Sequence, residues 1–346
     1  MTEGDGDGDA PDEGDELTYA DAGVDIDASE AATAALIGAV GADAEAGGSG
    51  SEYAGLLDIG DRYLALATDG VGTKLLVAEA LGDYSTVGID CIAMNVNDLV
   101  AAGVRPVAFV DYLAVDEPDE EFAEQVGEGL ARGAELADMK LVGGETAVMP
   151  EVVRGLDLAG TCAGLAAKNG VFDGRAEPGD ALVGWRSSGI HSNGLTLARE
   201  AVTRDHAYTD PCPFDDYETL GEALLEPTRI YTDLLDPMRA HGVRGAAHIT
   251  GGGWTNLERL GGHRYAIDDA FDPQPVFEFV RSEGNVSDEE MHRTFNMGTG
   301  FVAALDADEA DGLADATDGR VVGRVRDAEA EGDDGETTVA IRGLEL

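Results

Sequence analysis

YLALATDGVGTKLLVAEALG, residues 63–82, changes its hydrophobic period halfway. Tyr63 to Asp69 alternates as a strand does. Leu75 to Leu81 places its apolar residues at helical spacing and stops at Gly82, the residue type that best takes the left-handed turn closing a helix. Between the two stands Asp69-Gly70-Val71-Gly72-Thr73-Lys74. A strand that enters a helix through such a turn aims backbone N–H groups at an anion, and glycine leaves no Cβ to keep a phosphate away. The Walker pattern needs four residues between its first glycine and Gly-Lys. Here Thr73 precedes Lys74 and G-x-G-x-x-G is missing, so neither familiar phosphate fingerprint applies.

Outward from this junction, strand and helix signals alternate. Upstream, MTEGDGDGDAPDEGDE has no basic start and no apolar stretch, so residues 1–16 are expected to be a disordered acidic tail and not a signal peptide. An acid-rich lead-in from Asp21 to Asp27, an amphipathic helix over Ala31 to Val40 and a glycine loop, AGGSGSEYAG, follow. Downstream, GIDCIAMNVNDLVAAGVRP has helical spacing, with Asp90, Asn95, Asn97 and Asp98 distributed around its remaining surface. PVAFVDYLAV reads as a buried strand, DEEFAEQVGEGLARGAELAD as a helix, and LDLAGTCAGLAAK as a strand leaving a first domain. KLVGGETAVMP reads as a second strand, two glycines and an acid. With a boundary near Lys168, residues 17–167 form one domain and 168–346 another, in keeping with 346 residues. The second half begins with strand ALVGW and a helix from Leu195, carries glycine junctions at AHITGGGWTNLERL and MHRTFNMGTGFVAAL, and ends in an expected hairpin over VVGRVRDAEAEGDDGETTVAIRG.

Composition excludes several classes of function. Seventy acids against 22 bases, of which only three are lysines, give a formal charge of −48, too acidic for nonspecific binding to nucleic acid or anionic lipid. The charge runs along the whole chain, which points to a halophilic source where salt screens self-repulsion. No apolar run approaches the roughly 18 residues of a membrane span. Cys91, Cys162 and Cys212 are odd in number and far apart, so neither a disulfide framework nor a CxxC metal site is expected, and a reducing cytoplasm is the expected setting.

What the chain offers at its junctions is acid beside glycine: Asp69, Asp90, Asp98 and Glu145, with Lys74. Magnesium takes hard oxygen ligands and links carboxylates to polyphosphate, so this set fits metal-bridged nucleotide binding. The six histidines lie at no zinc-ligand spacing, and GxSxG is absent. Ser187-Ser188-Gly189-Ile190-His191-Ser192-Asn193-Gly194 is a polar loop suited to substrate oxygens or phosphate.

DAGVDIDA, TDGVGTKL, GIDCIAMNVNDLVAAGVRPVAFVDYLA, LVGGETAVMP, SSGIHSNGLTL, EPTRIY, HITGGGWTNL and RTFNMGTGF, in this order, resemble the phosphoribosylformylglycinamidine cyclo-ligase (AIR synthetase) family. The resemblance runs from about Leu17 to the C-terminus. It implies ATP-dependent closure of formylglycinamidine ribonucleotide to aminoimidazole ribonucleotide in purine biosynthesis. The implied fold is an N-terminal α/β domain, whose sheet forms a homodimer interface, and a C-terminal α+β domain. Carried over residue by residue, it makes Asp69, Asp98 and Glu145 metal or phosphate residues, for Mg²⁺ with K⁺ as a further candidate. Asp90 and Asn97 stand in support. Gly70, Gly72, Thr73, Lys74, Gly143 and Gly144 hold phosphate, with Lys74 as a point charge. His191, with Ser188, Ser192, Asn193, Gly251, Gly252 and Asn296, faces substrate, and His191, Asp69 and Lys74 are the catalytic candidates.

Two positions depart from the family pattern: Ala20, where lysine is frequent, and Tyr53 in the glycine loop. The alternatives are other ATP-using enzymes of the same two-domain build, of thiamine-monophosphate kinase, selenophosphate synthetase or hydrogenase-maturation type, or a homologue that binds nucleotide without turnover. A selenophosphate synthetase is expected to carry a reactive cysteine near the N-terminus, and none precedes Cys91. The maturation protein is expected to carry a C-terminal cysteine, and this sequence ends GLEL.

Overall fold

The computed structural model describes residues 16–24, 26–40, 53–214, 216–328 and 337–346. The expected acidic tail and most of the glycine loop fall outside them. Two sheets organise the chain. The first contains β1 (Gly55–Asp58), β2 (Arg62–Gly70), β3 (Arg105–Val115), β4 (Lys140–Val148) and β5 (Leu156–Ala167), in the order β1-β2-β5-β3-β4. Its pairs are antiparallel except β3–β4, which are joined through α4 (Glu120–Leu136). A helical crossover returns the chain in the same direction, so one parallel pair sits in an otherwise antiparallel sheet.

α2 (Leu75–Leu81) ends at Gly82 in the left-handed conformation, as its sequence predicts. α3 (Val87–Ala101) packs between the first sheet and α4, and almost all of it is buried. A Cβ on Gly88 would run into the backbone of α4, so the two helices meet main chain to main chain. α4 starts at Asp119, whose carboxylate accepts from Phe122 N at 3.0 Å. α1 (Ile26–Val40) forms where the spacing predicts a helix, and Ala31 to Leu36 on it are exposed.

The second sheet contains β6 (Ala181–Arg186), β7 (Gly245–His248), β8 (Arg264–Ile267), β9 (Thr299–Leu305), β10 (Arg320–Arg326), β11 (Thr338–Ile341) and β12 (Leu344–Glu345), in the order β12-β11-β8-β10-β6-β9-β7. The expected terminal hairpin is displaced. β8 lies between β10 and β11, and the hairpin that does form is β11–β12. Around this sheet lie α5 (Leu195–Thr203), α6 (Leu220–Leu225), α7 (Leu235–Ala240), α8 (Pro275–Gly284), α9 (Asp288–Thr294) and α10 (Ala307–Thr317). Residues 17–24 sit on this half: Tyr19 N donates to Glu290 Oε1 at 2.7 Å, and Leu17 lies beside Gly284.

Candidate active site

One face of α3 forms the seam between the two halves. Asp90, Met94, Asn97 and Asp98 are spaced four, three and one apart, within about a quarter-turn of one another on a 3.6-residue helix. Asp90 Oδ1 accepts from Thr228 N at 2.8 Å and Thr228 Oγ1 at 2.6 Å. Asn193 Nδ2 lies 3.5 Å from Met94 Sδ. Asn97 donates to Arg229 O and accepts from Tyr231 N, both at 2.9 Å. Asp98 Oδ1 meets His248 Nδ1 at 3.1 Å. The polar residues that the sequence distributes around the helix are therefore gathered on one side, except Asn95, which turns back to Asp69 O at 3.1 Å and Cys91 O at 2.9 Å. What they grip is a strap, Glu226–Tyr231, the EPTRIY motif.

Lys74 belongs to this grip. Its side chain is fully enclosed; Nζ lies 2.8 Å from Asp90 Oδ2 and donates to Glu226 O at 2.6 Å. The expected point charge for phosphate is therefore spent inside the protein, with Asp90 as its counter-ion. Lys74, Asp90 and Asn97 join the halves, and none presents a free group to a nucleotide. At the helix-entry turn Gly72 has φ +71°, which an L side chain rarely adopts, and Thr73 Oγ1 lies 2.9 Å from Thr196 Oγ1 of α5.

Asp69, at the end of β2, is crowded. Its carboxylate accepts from Gly70 N at 2.7 Å, and its pKa is pushed up to about 6, first by burial and then by the nearby Asp98 carboxylate. Asp98 remains 21% exposed. A largely buried carboxylate with a second one near enough to raise its pKa suits a divalent ion.

Glu145 does not join them. Register places Asp69, Gly160, Asp111 and Gly144 in one row across the first sheet, and Gly70, Ala159, Tyr112 and Glu145 in the next. Neighbouring rows point to opposite faces, so Glu145 stands on the face away from Asp69. Among the described residues no three His, Cys, Asp or Glu side chains come together as a metal site. Nor do Gly143 and Gly144 form a junction: they lie inside β4, and a Cβ on Gly144 would collide with the Asp111 carboxylate.

The SSGIHSN loop carries the most unusual residue. His191 has φ +68° and is 1% exposed, and Gly300 on β9 leaves room for its ring and for Tyr231. Its Nε2 accepts from Ser188 N at 3.1 Å, so the proton of the neutral ring is on Nδ1, which has no partner. Burial, with the positive charge of Lys74 and Arg229 behind it, holds its pKa well below 6.5. Backbone strain and an orphan donor fall together on this one residue.

Around His191, Ser188 Oγ donates to Pro227 O at 2.6 Å, and Ser192 Oγ lies 3.3 Å from Thr228 Oγ1. Gly251 and Gly252 adjoin Asn193 and the Thr255–Asn256 turn. Asn296 is engaged within the fold: it donates to Gly189 O and Ile190 O and accepts from Gly298 N, and so shapes the loop. His248 was passed over in the sequence as one histidine without ligand spacing. Only the seam reveals its contact with Asp98.

Residues 51–166 match AIR synthase related protein, N-terminal domain, and residues 177–333 match the C-terminal domain of the same family. A phosphoribosylformylglycinamidine cyclo-ligase of Methanosarcina mazei is 50% identical over 316 residues, covering 89% of this chain and 95% of that protein. Among solved structures, a Thermus thermophilus protein superposes with a TM-score of 0.64 at 22% identity, covering 92% of this chain and 97% of that one. AaThiL complexed with AMPPCP and TMP gives the same TM-score at 15% identity, covering 89% and 92%. At those identities the two structures speak for the fold.

Proposed function

The chain belongs to the phosphoribosylformylglycinamidine cyclo-ligase family of AIR synthase related proteins, and from that premise we propose how its own residues carry an ATP-dependent ring closure. The substrate is formylglycinamidine ribonucleotide. Its formyl oxygen is a poor leaving group, so that oxygen takes the γ-phosphoryl group of ATP and ADP departs. The amidine nitrogen then attacks the formyl carbon, the C–N bond closes the imidazole, and the C–O bond breaks with release of phosphate and a proton. The products are aminoimidazole ribonucleotide, ADP and phosphate.

The observation that carries this reading is that the crowded Asp69–Asp98 pair and the orphan donor of His191 both lie near His248. Asp69 and Asp98 would hold Mg²⁺, which would neutralise phosphate charge during transfer. Gly70, Gly72 and Thr73 line the turn where the phosphates approach. His191, as a neutral donor, hydrogen-bonds the substrate oxygen on which charge develops. The buried Lys74–Asp90 pair and Asn97 keep the two halves in register for this.

We further propose a cytoplasmic homodimer that works in high salt, with K⁺ as the bulk cation. The open face of the first sheet and the charge of −48 support this. Among the described residues no helix is long and apolar enough to cross a membrane. The test is ADP release in molar KCl with Mg²⁺, with and without formylglycinamidine ribonucleotide, while following the aminoimidazole product. Product formed one-for-one with ADP supports the proposal; ADP release indifferent to this substrate points to a kinase relative; and nucleotide binding without release points to a homologue without turnover.

A further inference from the structure

The contact between His248 and Asp98 sets the geometry of the candidate phosphate centre. Asn97 can be oriented in only one way, because its Oδ1 accepts from the Tyr231 N–H and its Nδ2 donates to Arg229 O, both at 2.9 Å. The second N–H of that amide reaches His248 Nε2 at 3.3 Å, so this ring nitrogen must offer a lone pair. The ring proton therefore sits on Nδ1 and is donated to Asp98 Oδ1 at 3.1 Å.

His248 is fully enclosed, packed against Tyr231 and Phe301 with ring centroids 6.4 and 6.3 Å away. Turning the ring over would bring carbon against both Asn97 and Asp98, leaving an amide hydrogen and a carboxylate oxygen without partners.

We infer that His248 is a positioning residue: a neutral imidazole, locked in one tautomer by Asn97, that holds one oxygen of Asp98 and leaves the other for the cation and phosphate. The strap Glu226–Tyr231 thereby reaches the phosphate centre through three hydrogen bonds in series, strap to Asn97, Asn97 to His248, and His248 to Asp98. Asp98 and Asn97 belong to the first half; the strap and His248, the last residue of β7, belong to the second. Separating the halves would release Asp98. The inference rests on the proposed place of Asp98 in the cation and phosphate centre.

Two substitutions divide the roles of the ring. Asparagine puts its amide nitrogen near the position of Nδ1, so His248→Asn keeps the donor to Asp98 and leaves Asn97 without its acceptor. Glutamine reaches the position of Nε2, so His248→Gln can accept from Asn97 but cannot donate to Asp98. Binding of Mn²⁺ to the full chain, with AMPPCP present in molar KCl, is read from the electron paramagnetic resonance of free Mn²⁺, alongside thermal melting and with Asp98→Asn as reference. His248→Gln is expected to bind Mn²⁺ at least about tenfold more weakly, as removal of an outer-sphere partner does, while melting close to wild type. His248→Asn is expected to stay within about threefold in affinity while melting lower. A merely structural histidine would not give this crossed pattern. Equal losses in both variants, or wild-type affinity in His248→Gln while Asp98→Asn binds weakly, would overturn the inference. Wild-type affinity in Asp98→Asn would remove Asp98 from the centre, and the inference with it.

Discussion

Lys74 Nζ stands 2.8 Å from Asp90 Oδ2 with both side chains wholly enclosed, and the same ammonium donates to the main chain of Glu226. A lysine kept at the opening motif of a chain with 70 acids is there to tie two domains together, and its partner carboxylate also receives two donors from Thr228. Breaking such a pair strands a charge. Lys74→Met is expected to lose about 3–5 kcal/mol of stability by urea unfolding at fixed KCl. In Lys74→Met/Asp90→Asn, which removes both charges, the loss should be well below the sum of the single variants. Were Lys74 a phosphate grip, Lys74→Met would instead fold as wild type and fail only in nucleotide binding.

Asp69 costs stability wherever its carboxylate is charged. Its folded pKa of about 6 lies above the ordinary 3.8, so the native state binds the proton more tightly than the unfolded chain does, and stability from this group is lost as pH rises from about 4 through 6. Asp69→Asn without divalent ions is therefore expected to be more stable than wild type at pH 8, by up to about 3 kcal/mol, and indistinguishable at pH 4. Turnover with Mg²⁺ should fall by about a hundredfold or more. Higher stability at both pH values would mean that the gain does not come from the charge.

His191 is neutral across the working range, because burial and surrounding positive charge hold its pKa well below 6.5. It therefore adds no limb to the pH–rate profile, and the acid limb is expected from Asp69, whose pKa is pushed up to about 6. His191→Ala is expected to lower kcat by about 100- to 1,000-fold, the usual effect of removing one donor to a developing oxyanion. The position of the acid limb should not move. A shift of that limb in His191→Ala would show that the imidazole titrates in the reaction.

The element sequence around residues 63–82 was legible because hydrophobic period and capping agree there, and Gly82 does take the left-handed turn. Which acids face one another was not. Asp69 and Glu145 occupy similar motifs, but strand register places them on opposite faces, and register depends on pairing partners far away in sequence. Asp90, Asn97 and Asp98 fall on one face by simple counting, but a polar face on a buried helix does not say whether it meets ligand or protein. Lys74, Asp90 and Asn97 meet protein, and the partners lie more than 130 residues away for both acid and amide. The displaced hairpin has the same cause, since β8 enters between β10 and β11 from elsewhere in the chain.

At a formal charge of −48, screening of surface repulsion is expected to favour the folded chain. The screening length falls from about 10 Å at 0.1 M salt to about 3 Å at 1 M, less than the usual spacing of surface carboxylates. The melting temperature, followed by calorimetry at pH 7.5, is expected to climb steeply between 0.1 and about 2 M KCl. A flat response would mean that the acids are compensated within the fold, and the halophilic reading would be abandoned.

The face of the first sheet that carries Glu145 is apolar and uncovered in the single chain: Leu66 is 46% exposed, Val110 41% and Tyr112 42%. Opposite it, α3 packs on the other face against β2, β5 and β3, so the middle of this sheet is covered by a helix on one side only. In so acidic a protein, contiguous exposed aliphatic and aromatic residues mark a place where another surface docks, and a second copy offers a matching apolar face. Val110→Asp introduces a charge at the centre of that face without touching the seam. It is expected to convert a dimer into a monomer by sedimentation equilibrium in molar KCl, with each chain still folded by circular dichroism. If Val110→Asp sediments with the same mass as wild type, dimerisation through this face is refuted. A wild-type chain that is itself monomeric would leave Glu145 outside any site that the sheet could build.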